Sequence, residues 1–176
     1  MIYEFCAENV TLLEKAMQAG ARRIELCDNL AVGGTTPSYG VTKAAVELAA
    51  NYDTTIMTMI RPRGGDFVYT DLEIAIMLED IRLTAQAGSQ GVVFGALTAD
   101  KKLDKVNLEK LIAASKGMEI VFHMAFDELS DEDQLEAIDW LSQAGVTRIL
   151  TRAGVSGDSL EKRFAQYHKI LEHAAG

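Results

Sequence analysis

Three near-copies of one phrase leave this chain few architectures to choose from. Residues 18–26 (QAGARRIEL), 86–94 (QAGSQGVVF) and 143–151 (QAGVTRILT) each run a helix end through a glycine stop into an apolar, β-prone run. They precede the second, fourth and sixth of six strand-then-helix alternations, so every second unit is alike. The strands are expected over 2–6, 22–27, 54–60, 91–95, 119–123 and 148–151. The helices are expected over 9–19, 41–51, 71–87, 108–115, 131–144 and 159–174. Such regularity specifies a TIM (β/α)8-type barrel over an open doubly wound sheet, with 1–176 as a single barrel domain. Six units are visible where eight close a barrel, and the usual length is ~250 residues. The last two units are therefore expected to lie past Gly176.

Local signals support the alternation. Thr11 with Glu14 reads as a capping box in the first helix, and Gly20 as its stop. Thr70 with Glu73 reads as the capping box of the third, whose apolar stripe is expected to run through Ala75, Leu78, Ile81 and Ala85. Between the third strand and that helix lies a loop with Arg61, Pro62, Arg63, Gly64, Gly65 and Asp66. Two guanidinium forks at a spacing stiffened by proline, beside glycines that admit close approach, suit a carboxylate or phosphate. The same arginines suit carboxylates of neighbouring loops equally well.

Charge and segment lengths exclude several classes. A net charge of −9 and a pI near 4.8, with no basic stripe, argue against binding a nucleic-acid backbone. No apolar run is long enough to span a bilayer, and Met1 leads into IYEFC without a charged leader. A cytoplasmic protein is expected, and its two cysteines are expected to be thiols.

In a barrel the chemistry gathers at the carboxyl ends of the strands. Those ends bring Cys6, Glu8, Glu25, Cys27 and Asp28, then Arg61, Arg63 and Asp66, then Thr98, Asp100, His123, Asp127, Thr151 and Arg152. No lysine stands there, which counts against a Schiff-base aldolase, and no glycine-rich phosphate loop is present. Cys6 and Cys27 end consecutive strands ~4.8 Å apart, so two thiolates at one height suit a soft ion, above all Cu(I), with Met57 or Met59 as thioether helpers. Against this stands buried cysteine as an ordinary small core filler. His123, with Asp127 to orient it and Glu8 and Glu25 nearby, suits general acid/base chemistry or a hard-metal site. His168 and His173 read as surface residues of the last helix, and Asp131, Glu132 and Asp133 as acids favoured by a helix N-terminus.

Several segments together resemble the copper homeostasis protein CutC family, over the whole chain. They are the strand ending at Cys6 with Glu8, RIELCDNLAVGGTTPSYG (23–40), MIRPRGGDFVYTDLE (59–73), GVVFGALTADKKLD (91–104), FHMAFDE (122–128) and TRILT (147–151). The resemblance implies a TIM barrel, a cytoplasmic homo-oligomer (dimer or tetramer), copper-ion binding and a role in copper homeostasis. It also implies two further βα units. Met124 stands where the family commonly has arginine, and Arg152-Ala153-Gly154 where it has serine-glycine-glycine. Three readings follow: Cu(I) binding at Cys6 and Cys27, a barrel enzyme acting on a small anionic substrate, and a structural barrel whose rim is only a salt-bridged network.

Overall fold

The computed structural model describes residues 2–154 and 157–174; the continuation expected past Gly176 lies outside them. Six strands form one parallel sheet in sequence order: β1 (Glu4–Glu8), β2 (Arg23–Cys27), β3 (Thr55–Met59), β4 (Gly91–Phe94), β5 (Glu119–Phe122) and β6 (Arg148–Ile149). Between and after them run α1 (Leu13–Gln18), α2 (Tyr39–Ala49), α3 (Asp71–Ala87), α4 (Lys105–Ala114), α5 (Asp131–Gln143) and α6 (Leu160–Ala174). Order without crossovers is that of a partial TIM barrel. The sheet curls: Arg148 of β6 reaches across the concave side to the Met57 sulfur of β3, 3.6 Å away.

Alternation along each strand divides the core into two layers. The convex side packs on the helices in two clusters. One holds Ala7, Ile24, Leu26 and Ile56 against Leu13, Met17 and Ala45. The other holds Ile60, Val92, Phe94, Ile120 and Phe122 against Met77, Ile81, Leu108 and Leu141. The concave side carries a smaller cluster of Cys27, Met57, Met59, Val93 and Val121, with Leu150 beside it. Gly91 makes room for Met57, because a Cβ at Gly91 would fall 2.0 Å from its methyl carbon.

Most element ends match the sequence signals, and the differences have local causes. The Thr70–Glu73 capping box forms on α3, and Gly88 closes that helix at φ 88°. The buried face of α3 runs through Ile74, Met77, Ile81 and Thr84; of the expected stripe Ile81 is buried and Leu78 packs half-buried on the same core, whereas Ala75 and Ala85 are exposed. The first strand begins two residues later than expected, at Glu4. Its helix keeps only residues 13–18, without the Thr11–Glu14 box, because Asn9 and Leu12 adopt left-handed backbone conformations. Asn9 is drawn off by the end of β2, donating its N–H to the Cys27 carbonyl (2.9 Å) and its side-chain amide to Asp28 (2.8 Å).

Candidate metal centre

Glu4, Cys6 and Glu8 share the concave face of β1, and Arg23, Glu25 and Cys27 that of β2. The register pairs Cys6 with Glu25 and Glu8 with Cys27. This corrects the expectation that both cysteines end their strands: Cys27 does, whereas Cys6 sits mid-strand. The side chains meet on the diagonal, with the two sulfurs 4.0 Å apart. Glu25 Oε1 lies 3.5 Å from the Cys6 sulfur and 3.8 Å from that of Cys27. Among the described residues, this is where three potential ligand side chains come within 4.8 Å of one another. Glu8 and His123 stand outside the group.

Two members of the trio, Glu25 and Cys27, are made to hold their protons. Desolvation first, and the charge of Glu4 second, raise the Glu25 carboxyl above its ordinary value. The Cys27 thiol is pushed far up, by its hydrogen bond to Cys6, then by burial and the charge of Glu25. Glu25 Oε2 is buried without a hydrogen-bond partner. With metal–sulfur bonds of ~2.3 Å, this sulfur separation subtends about 120° at an ion, a trigonal arrangement with one position to spare. Glu25 Oε1 faces both sulfurs and fits that position, so the donor set suits a small thiophilic ion.

A glycine covers the buried thiol. Gly33 and Gly34, in the β2–α2 loop, both have φ near +90° (89° and 86°), where side chains are strained. A Cβ on Gly34 would lie 3.1 Å from the Cys27 sulfur and 3.7 Å from the Met59 methyl. Arg61 fastens this segment: its Nη1 donates to the carbonyls of Val32 and Gly34 (both 2.9 Å) and its Nη2 to that of Gly65 (2.8 Å). Glu8 holds the same loop from the other side, accepting from the Leu30 N–H at 2.9 Å. Sequence reasoning missed this cover, and the Gly33-Gly34 doublet was its signal.

The other rim residues fall into separate groups. Arg63 bonds the Glu73 and Asp66 carboxylates and the Gly64, Asp66 and Val68 carbonyls. Gly64 packs so tightly on Val32 that a Cβ would meet it at 2.7 Å. His123 is buried, and its Nδ1 accepts from the Ala125 N–H (3.2 Å). Asp127 does not orient it; its carboxylate accepts from the Thr151 hydroxyl (2.5 Å) and the Arg152 N–H (3.2 Å), tying down the end of β6.

A family model described as the CutC family matches residues 1–175. A CutC family protein of Enterococcus faecalis is 51% identical over 174 residues, which is 99% of this chain and 83% of the relative. A solved structure from Streptococcus agalactiae, provisionally named copper homeostasis protein CutC, superposes with a TM-score of 0.95 at 44% identity, over 100% of this chain and 84% of that one. A deoxyribose phosphate aldolase from Aeropyrum pernix shares the barrel architecture at 12% identity, with a TM-score of 0.68 over 99% of this chain and 70% of its own. Likeness at that level speaks to the fold alone.

Proposed function

The chain belongs to the CutC family, and on that premise we propose that it serves copper homeostasis in the cytoplasm by taking Cu(I) as cargo at Cys6 and Cys27. The observation that carries this reading is the pair of sulfurs 4.0 Å apart with a buried carboxyl against both. Thiolate softness selects Cu(I) over the hard cations that the remaining rim carboxylates would favour. Cys27 supplies the buried ligand and Cys6 the exposed one, so the ion enters from the Cys6 side while Gly34 keeps water from Cys27. Glu25 fills the third position or, protonated, donates to a bound thiolate. The cytoplasmic placement rests on the family resemblance.

A Cu(I) titration of reduced protein against a competing chelator tests the reading. One tight equivalent is expected, and Cys27→Ser or Cys6→Ser should each weaken it by a hundredfold or more, with the far-UV spectrum unchanged. Because binding displaces thiol protons, affinity should fall as pH falls. Undiminished affinity in both variants would remove the thiol pair from the account.

A further inference from the structure

Arg61 is 4% exposed, yet its partners are three backbone carbonyls, and among the described residues no carboxylate pairs with it. Its Nε has no hydrogen-bond partner at all. Buried charges are ordinarily paired. Two more buried polar atoms beside it are in the same position. The Tyr69 hydroxyl, on a residue 8% exposed, turns its oxygen to the Arg61 guanidinium, and its own hydrogen has no acceptor. His123, 3% exposed, uses Nδ1 as an acceptor, so the neutral ring carries its hydrogen on Nε2, which also has no partner.

Each of the three groups carries a hydrogen without an acceptor. A polar cluster that served packing alone would pair donors with acceptors, whereas here the N–H groups of Arg61, the phenol hydrogen and an imidazole N–H outnumber the one phenol oxygen beside them and so complement an oxyanion. Arg61 and His123 come together at the ends of β3 and β5 around one side chain, and Tyr69 adjoins Arg61. The Phe67 ring lies 4.9 Å from the Arg61 guanidinium carbon and 4.8 Å from the His123 ring centre. The ring also lines a cavity of about 580 Å3 with Gly65, Asp66, Thr98, Lys101 and Glu128, the last two paired at 3.2 Å. Phe67 is thus the partition between the donors and an open cleft.

We propose that Arg61, Tyr69 and His123 form a ligand site for a small oxyanion, carboxylate or phosphate, entered from this cavity when the Phe67 side chain turns aside. The site is separate from the thiol pair and does not depend on copper binding. Arg61 joins the two regions, since the guanidinium that would face the anion also holds the cover over Cys27.

Inorganic phosphate and malonate are the probes, titrated by calorimetry and by NMR of the His123 Nε2–H. Phe67→Ala should tighten binding of the preferred anion about tenfold by removing the partition. Adding Tyr69→Phe, which deletes one hydroxyl at constant shape, should reverse that gain by about tenfold, the worth of one hydrogen bond to a charged group. Preference for phosphate or malonate assigns the anion class. Absence of binding to Phe67→Ala at millimolar anion would overturn the proposal. So would binding lost with Lys101→Met but untouched by Tyr69→Phe, which would place an adventitious ion in the outer cavity only.

Discussion

Gly34 is held by two independent demands, a φ of 86° and contact with the Cys27 sulfur. Gly34→Ala should therefore cost about 1–3 kcal/mol in chemical denaturation, and it should speed labelling of Cys27 by a thiol reagent as the cover lifts. His123 carries a pH signature. Burial first, then the nearby Arg61 charge, holds its pKa down to about 3 from an ordinary 6.5. Its contribution to stability is thus fully present above pH 6.5 and is lost as pH falls toward 3. Melting temperature should drop across that window in the native protein and less so in His123→Asn. The cysteine pair was legible in the sequence because both lie on consecutive strands, and alternation puts Glu25 on the face of Cys27; the register that sets Cys6 opposite Glu25 was not. The partners of Arg61 were not, since a guanidinium takes whichever carbonyls or carboxylates the folded loops bring to it, and those of Val32 and Gly34 are remote in sequence.

Among the elements, α3 was read to the residue because both its ends are written locally, Thr70 with Glu73 at one and Gly88 at the other. Thr70→Ala should remove about 1 kcal/mol, the usual worth of such a cap. Glu73→Gln should cost more, because Glu73 also receives Arg63 and so steadies the β3–α3 loop. Differential scanning calorimetry of the two variants checks the order. The first helix was misjudged for the opposite reason. Its local box lost to a tertiary tie, the Asn9 bonds to Cys27 and Asp28, and no local pattern announces a contact made across two strands. The phase of α3 was likewise hidden, since its apolar residues offer more than one stripe and only packing on the sheet selects the one through Met77 and Ile81.

For the whole molecule, the three repeated phrases made the barrel architecture readable, and the uncrossed strand order agrees with it. What β1 presents at its outer edge was less evident. Tyr3 (68% exposed), Phe5 (37%) and Leu12 (56%) border an apolar groove of about 420 Å3 beside α1. In a closed eight-unit barrel the last unit lies along the first strand, so this edge and groove fit the two further βα units that the family resemblance implies.

The diagonal meeting of Cys6 and Cys27 carries a further consequence. A slip of one residue between β1 and β2 would turn one cysteine to the helix side of the sheet while leaving most backbone hydrogen bonds satisfiable. A ligand that requires both sulfurs would then find only one. Loading at this position would act as an inspector of the finished product: it accepts copies whose first two strands have settled in the proper alignment and passes over those that have not.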